Sequence, residues 1–293
     1  VGRGGVDYEY SIGRFEVTTA QWVEFLNAAL DRPAGEAIPF VSVPGTGFWG
    51  GTATTPMNPG GRRFVSRPGQ EMFPVGDIDW RMSAVLCNWY HNGKSLDRSA
   101  FLNGAYDAST FGYGPLGFTD QMAHHPDARY WIPTWDEWLK AAHFDPHKNG
   151  PDQPGWWVYS YRSDTQLLGG PPGTGVANFG FTSGAFSIPL GAYPQTMSPW
   201  GLLDVAGATS EWTEHVLDFG PGEMYRTYVG SAWRSDQFSG IADAIFAPTS
   251  ELPHIAGFTN GLRIASAVPA PSTAILAMGV YPLIGWTVRR RRR

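Results

Sequence analysis

The chain has very little cysteine and little charge. Cys87 is the one cysteine among 293 residues, so an intramolecular disulfide is excluded. Charged residues make up 16% of the chain, and the formal net charge is −5. Five of the 21 basic residues are the final arginines, which leaves 16 basic and 26 acidic residues and a charge of −10 on the rest. An acidic body of this kind argues against nucleic acid as a partner.

Glycine, proline and aromatic residues are abundant instead. The chain contains 37 Gly, 24 Pro and 13 Trp, and 42% of its residues are apolar. This apolar fraction is enough for a core and excludes a disordered chain. The glycine and proline content predicts much irregular backbone rather than a helical bundle. One large domain is the expected organisation at this length. Its aromatic residues either fill the core or line a sugar or peptide site.

The C-terminal residues differ in composition from the rest. Residues 266–273 are rich in proline, serine and alanine, as linkers are. Residues 270–288 carry no charge, and five arginines follow them. The length of the uncharged run approaches the roughly 20 residues that a membrane-spanning helix needs, and the arginines would hold its end in the cytoplasm. The pattern predicts a hydrophobic helix that anchors the protein in a membrane; the alternative is a short buried helix.

This tail resembles the PEP-CTERM sorting signal of exported bacterial proteins. Its box is Val268–Thr273, where Ala270 replaces the usual glutamate, and residues 274–293 supply the apolar segment and the basic cluster. The resemblance implies an exosortase-like sorting peptidase as a partner. It also implies transient residence in the cell membrane and a final location at the cell surface or outside the cell. Val1 fits either removal of an N-terminal signal or the start of a fragment.

Three helices are predicted from the residues that would cap them. Thr18–Gln21 and Thr134–Glu137 have the pattern of a capping box, which places a helix after Thr18 and another after Thr134. Asp79 is expected to cap a third helix, over residues 80–91.

The second half of the body has a different pattern. Residues 150–266 are dominated by glycine, proline, serine and aromatic residues, and they show no helical periodicity of any length. Short strands and long loops are expected there. The domain over residues 1–265 is therefore predicted to be α+β, with a few capped helices around a loop-rich core.

Five sequence boxes follow one another along this domain. They are Tyr10–Asn27, Phe73–Trp89, Tyr130–Ala142, Gly201–Gly207 with Glu211–Trp212, and Gly261–Ala265. In this order they resemble the formylglycine-generating-enzyme family, also called sulfatase-modifying factors, over nearly the whole body. The resemblance implies a compact fold with little regular secondary structure, a variant of the C-type-lectin architecture.

The residues that carry the family's chemistry are absent. Family enzymes oxidise a sulfatase cysteine to formylglycine, with copper held by two thiolates that suit Cu(I). Their cysteines follow a box that resembles Arg226–Trp233, and the two positions fall near Ser235 and Gly240 here. No copper is therefore expected, and Cys87 is interpreted as a small buried residue. This predicts a non-catalytic domain with a binding or structural role. The alternative is a divergent oxidoreductase or another metal-dependent enzyme on the same fold.

The resemblance also implies structural calcium. In the family the loop that here spans Asp204 to Glu211 holds a calcium ion, and calcium takes oxygen ligands. The implied ligands are the carboxylates of Asp204 and Glu211 and the carbonyls of Gly207 and Thr209. Ala208 replaces the family's usual asparagine. A second calcium is implied at Asn178 and Phe179, although a later aspartate of that site is missing. Ordinary turn chemistry is the alternative at both places.

A binding surface is expected between Gly220 and His254, because lectin-like folds present variable loops in their C-terminal half. The candidates to stack on sugars or aromatic groups are Tyr225, Tyr228, Trp233 and Phe238. Both a glycan and a protein remain open as the ligand.

Overall fold

The computed structural model describes residues 3–33, 35–54, 63–180, 188–233, 235, 242–268 and 286–287. These residues form an α+β fold with little regular secondary structure, as predicted. The α-helices are α1 (Thr19–Leu30), α2 (Trp80–His91), α3 (Arg98–Leu102) and α4 (Trp135–His143). The strands up to residue 200 are β1 (Tyr10–Ile12), β2 (Gly51–Ala53), β3 (Phe64–Ser66), β4 (Tyr113–Gly114), β5 (Gly117–Phe118), β6 (Tyr130–Trp131), β7 (Phe144–Asp145) and β8 (Gly155–Trp156). The later strands are β9 (Ser210–Asp218), β10 (Met224–Val229), β11 (Thr249–Glu251), β12 (Asn260–Gly261), β13 (Ala265–Ala267) and β14 (Trp286–Thr287).

The three predicted helices begin where their capping residues indicate. The Thr18 side chain accepts the Gln21 N–H and the Gln21 side chain accepts the Thr18 N–H, which confirms the first capping box. Thr134 and Glu137 make the same two bonds at α4, and the Asp79 side chain caps α2. Each cap satisfies backbone N–H groups that the helix itself leaves without partners.

One sheet joins the two ends of the body. Its strand order is β14-β1-β13-β6. β1 runs antiparallel to β13, with Tyr10 opposite Ala267 and Ile12 opposite Ala265. The fold is therefore closed by contacts between residues that are very distant in sequence.

A second sheet has the strand order β11-β10-β9-β12 and contains the longest strand that the structure describes, β9. β9 pairs antiparallel with β10 and parallel with β12. Arg226 of β10 pairs with Val216, but the next registered pair is Tyr228 with Trp212, so β9 carries an irregularity around Glu214. Such a bulge changes the direction of the side chains it contains.

Most of the tryptophans fill the core. The buried ones are Trp22, Trp49, Trp80, Trp89, Trp131, Trp138 and Trp212. Phe25 of α1 lies with its ring centroid 5.8 Å from that of Trp89 of α2, so these two helices pack through aromatic side chains. Cys87 is a free, buried cysteine in the same core, as predicted.

Most of the predicted tail lies outside the described residues, including nearly all of the Val268–Thr273 box and of the apolar segment. Trp286–Thr287 form β14, which pairs with β1, at a place where a helix was predicted. Within the part of the chain that the structure describes, no helix is both long and apolar enough to cross a membrane.

Candidate functional site

Both loops that were predicted to bind calcium lie side by side. Asn178 and Gly207 form an isolated parallel bridge, and the Ala208 N–H donates to the Asn178 carbonyl at 3.3 Å. A Cβ atom added to Gly207 would lie 2.6 Å from the Asn178 nitrogen, and Gly207 has φ of +80°. Only glycine fits this position, because the approach is too close and the backbone is left-handed. Sequence reasoning therefore identified two loops that the fold brings into contact.

The loop that follows β10 folds back onto Gly207. The Ser231 hydroxyl accepts the Gly207 N–H at 2.9 Å and donates to Asp243 at 2.9 Å. The Ser231 N–H also donates to Asp243, at 2.6 Å. Asp243 is buried, and burial raises its pKa to about 7. These bonds hold Ser231 and Asp243 together beside Gly207.

Ser235, at one of the two predicted cysteine positions, stabilises a turn in this loop. Its N–H donates to the Ala232 carbonyl at 2.8 Å, and its hydroxyl accepts the Ala232 N–H at 3.0 Å. Its carbonyl accepts the Gly180 N–H at 2.7 Å. Gly240, at the other position, lies outside the described residues, as does Phe238. The hydroxyl at Ser235 thus has a backbone partner of its own.

Glu211 and Arg263 form a buried ion pair under these loops. Their side chains are 1% and 0% exposed, and Arg263 Nη2 lies 2.6 Å from Glu211 Oε1. Arg263 Nε lies 3.0 Å from both Glu211 oxygens, and the Trp138 indole N–H donates to Oε2 at 2.5 Å. Burial by itself would lower the pKa of Arg263, but the ion pair with Glu211 outweighs it and raises that pKa. Both carboxylate oxygens of Glu211 are thereby engaged.

Glu16 is a second buried acid at this place, and sequence reasoning missed it. Its carboxylate accepts the Thr209 N–H at 3.1 Å and the Thr209 hydroxyl at 2.6 Å. Burial, and next the charge of Glu211, raise the pKa of Glu16 well above its usual value. Glu16 follows β1 and Thr209 precedes β9, so this contact fastens the start of the domain to the predicted calcium loop.

Asp204 has a backbone donor and a small cavity next to it. Its carboxylate accepts the Gly191 N–H at 2.7 Å, and burial raises its pKa to about 6. The cavity measures about 10 Å³ and is lined in part by Ser160, Tyr193 and Ser198. A space of this size holds a single water or ion.

The carboxylates as they stand do not fit a calcium ion bound between Asp204 and Glu211. Calcium takes six to eight oxygen ligands, whereas the Glu211 oxygens are bonded to the Arg263 guanidinium and the Trp138 indole. Among the described residues, no three His, Cys, Asp or Glu side chains form a group that could hold a metal. Calcium at Asp204, Gly207, Thr209 and Glu211, and at Asn178 and Phe179, stays a prediction.

Another polar cluster surrounds Glu214 at the β9 bulge. The Tyr106 hydroxyl donates to Glu214 at 2.5 Å, and His124 Nδ1 lies 3.0 Å from both of its oxygens. Burial would lower the pKa of His124, but the hydrogen bond to Glu214 outweighs it and raises that pKa. Arg226 donates to the Glu214 carbonyl. Buried Tyr106 and half-buried His124 therefore bind this carboxylate, and Arg226 binds the backbone of the same residue.

The predicted aromatic surface is divided by the fold. The Tyr228 ring meets Trp212 edge to face at 5.4 Å and is packed against the main core. The Tyr225 ring lies 6.0 Å from Phe219, near the β9–β10 turn. The Trp233 backbone N–H donates to the Ala208 carbonyl, which holds Trp233 beside the predicted calcium loop. No single surface formed by these residues is evident among the described ones.

Comparison with known proteins agrees with the resemblance seen in the sequence. A profile described as "Sulfatase-modifying factor enzyme 1-like domain" matches residues 6–267. The crystal structure of CarF is 19% identical, with a TM-score of 0.54 over 89% of this chain and 87% of that chain. Treponema denticola variable protein 1 is 18% identical, with a TM-score of 0.48 over 88% and 84% of the two chains. PvdO from Pseudomonas aeruginosa is 14% identical, with a TM-score of 0.45 over 88% and 80%. No curated protein sequence matches the chain. At these identities the CarF structure shows the fold alone.

Proposed function

Because the chain belongs to the sulfatase-modifying factor enzyme 1-like family, we propose that it is a non-catalytic member with a binding or structural role. The observation that carries the proposal is the chain's single cysteine, Cys87, which is buried in α2. Copper-dependent formylglycine formation needs two thiolates on one Cu(I) ion. Burial raises the pKa of Cys87 well above its usual value, so this residue stays a neutral thiol.

The turn at Ser235 supports the same proposal. A hydroxyl that accepts a backbone N–H at 3.0 Å stabilises its loop, and a hydroxyl is a poor ligand for a soft metal ion.

A peptide assay tests the loss of oxidase activity. The full chain is incubated with a Cys-x-Pro-x-Arg peptide, copper and reductant, and aldehyde is measured by mass spectrometry. No aldehyde above a no-protein control is expected, either for the native chain or for Cys87→Ala. Aldehyde formed by the native chain alone would reject the proposal and support the alternative of a divergent oxidoreductase. Aldehyde formed by both would indicate another metal-dependent chemistry on the same fold.

We further propose that the protein is exported and held in a membrane by residues 274–293 before an exosortase-like peptidase sorts it. An uncharged run of near-spanning length with five arginines behind it supports this proposal. Each arginine costs roughly 2.5–3.5 kcal/mol at the centre of a membrane span. Moving all five across the membrane is therefore unfavourable, so the C-terminal end should stay in the cytoplasm.

Cell fractionation tests the anchor. The full chain should sediment with membranes, whereas a chain truncated after Val268 should be soluble and released. The double substitution Ala277→Asp and Gly279→Asp places two charges in the uncharged run and should weaken anchoring. Equal amounts of full-length and truncated protein in the soluble fraction, with no cleavage, would reject the anchor. Later release of protein cut within Val268–Thr273 would support sorting despite Ala270.

Calcium remains part of the proposal as a structural ion, and metal analysis of the purified chain tests it. One calcium per chain would support a structural ion, and its loss in Glu211→Gln would assign the ion to the Asp204–Glu211 loop. A metal-free chain with an unchanged melting temperature in millimolar calcium would reject the site.

A further inference from the structure

A pocket of about 200 Å³ opens beside the first turn of α2. It is lined by Phe40, Val41, Ser42, Asp79, Arg81, Met82 and His254. Its volume is below the roughly 300–1,000 Å³ of sites for drug-sized molecules, so it suits one small ring. The sequence indicated Asp79 only as a helix cap and His254 only as the end of an expected binding surface, because the pocket residues come from three separate segments.

The aromatic wall of the pocket has a strained backbone. Phe40 has φ of +63°, a left-handed conformation that is a true outlier for a bulky residue. Its side chain is nevertheless held at the surface with 39% exposure, and its ring meets Phe111 edge to face at 5.2 Å. Strain of this kind concentrates where a protein must hold a group ready for a ligand.

The floor of the pocket carries an arginine whose charge is already balanced. Arg81 makes two parallel bonds to the buried carboxylate of Asp120, at 2.8 and 2.7 Å. Its guanidinium also lies 6.0 Å from the Phe40 ring centroid and 5.4 Å from that of Tyr113. Arg81 therefore attracts an anionic ligand only weakly, because its charge is already paired with Asp120. The rings of Phe40 and Tyr113 attract a cationic ligand only weakly, because they already face the Arg81 guanidinium.

Hydrogen-bonding groups surround the ring. Asp79 lines the pocket and caps α2 through Oδ1. Among the described residues, the Ser42 hydroxyl has the Met82 sulfur as its one partner, at 3.5 Å. A thioether is a weak acceptor, so a ligand can take its place. His254 Nδ1 is bonded to the Tyr113 hydroxyl, which orients the imidazole and leaves Nε2 as its other polar atom.

From this combination we propose that the pocket binds a neutral pyranose, the terminal unit of a glycan. A pyranose has an apolar C–H face that suits the Phe40 ring. Its hydroxyl groups suit Asp79, Ser42 and His254, and it carries no charge. The proposal gives the non-catalytic binding role a site and a ligand class, and in that sense it rests on that role.

Saturation-transfer NMR on the full chain tests the proposal, with the methyl pyranosides of glucose, galactose, mannose and N-acetylglucosamine as probes. At least one should receive saturation, most strongly at its ring C–H protons. Phe40→Ala should weaken its binding at least tenfold. Asp79→Asn, which preserves the helix cap, should weaken it several-fold. Phe219→Ala removes an exposed ring of the same kind, 64% exposed, near the β9–β10 turn, and should change affinity less than twofold.

Several outcomes would overturn the proposal. They are no transfer to any pyranoside, transfer to choline instead, or a pyranoside affinity that Phe40→Ala and Asp79→Asn leave unchanged. Loss of binding in Tyr225→Ala but not in Phe40→Ala would move the site to the β9–β10 region. The peptide assay keeps the two proposals separate. Aldehyde formation with intact sugar binding rejects only the non-catalytic role, and absence of both rejects only the pocket.

Discussion

Replacing Arg263 by methionine tests how far the fold depends on its buried ion pair. Methionine keeps an unbranched apolar side chain but removes the cation. The Glu211 carboxylate, 1% exposed, would then stay buried next to Glu16 without a cationic partner. The carbonyls of Gly13 and Leu203, which accept from Arg263 at 2.9 Å each, would lose that donor.

The expected loss is large compared with total stability. Removing one member of a buried pair costs about 3–5 kcal/mol, whereas native domains are typically stable by only about 5–15 kcal/mol. The measurement is guanidinium unfolding of the full chain, followed by tryptophan fluorescence. Lys94→Met is the matched control, because Lys94 Nζ also lies 2.6 Å from a carboxylate, that of Glu24, but the two side chains are 41% and 49% exposed. Exposed pairs contribute about 0–1 kcal/mol.

Equal small losses in Arg263→Met and Lys94→Met would refute this reasoning. A further check adds Glu211→Gln to Arg263→Met. The double variant should recover part of the loss, because one fewer carboxylate is left without a cation. Losses that simply add would show that the two side chains are not coupled.

Three further predictions concern single buried or strained residues. Burial lowers the pKa of His143 to about 4, so the unfolded chain takes up a proton first as the pH falls below 6.5. Between pH 6.5 and 4, the free energy of unfolding of the native chain should therefore fall by up to about 3 kcal/mol more than that of His143→Gln. Denaturant unfolding at each pH measures this difference. Parallel pH profiles of the two proteins would contradict it. Ala208 has φ of +55°, so Ala208→Gly should raise the free energy of unfolding by about 0.5–1 kcal/mol. The control, Ala232→Gly, lies at a position without positive φ and should lower it by a similar amount. A loss in both variants would contradict backbone strain at Ala208. Phe40→Gly should have a higher melting temperature than Phe40→Ala, because glycine adopts the left-handed backbone without strain. A lower melting temperature for Phe40→Gly would show that the backbone at Phe40 is not strained.

The local part of the fold could be predicted from the sequence. Each helix cap accepts the N–H of the residue three positions later, as seen at Thr18, Asp79 and Thr134. A short stretch of sequence is therefore enough to predict where each helix begins. Most strands could not be found this way. Several are only two residues long, such as β6 and β12, and they exist because distant segments pair with them.

The sequence located the predicted calcium loops but not the ion pair that lies beneath them. Glu211 and Glu214 lie on β9, and two acids so close together in sequence suggest an exposed strand. Both are nevertheless buried, because distant residues bind them: Arg263 binds Glu211 and His124 binds Glu214. The resemblance implies that Glu211 is a calcium ligand, which stays a prediction, and it gave no sign that Arg263 pairs with Glu211. The Phe40 pocket was missed for a related reason, since positive φ at a phenylalanine leaves no mark in the sequence.

The pairing of β1 with β13 has a consequence for engineering. Tyr10 begins β1, and Ala267, 257 positions later, ends β13 directly opposite it. The points where the chain enters and leaves the domain are therefore adjacent, and a few linking residues would join them. New termini could then be opened at the exposed turn between β9 and β10, where Gly220 and Gly222 lie. A circular permutant of residues 10–267 keeps the β1–β13 and β13–β6 pairs of the first sheet and every pair of the second, and loses the β14–β1 pair. It would show whether the order of segments along the chain matters to this fold or only their neighbours in space.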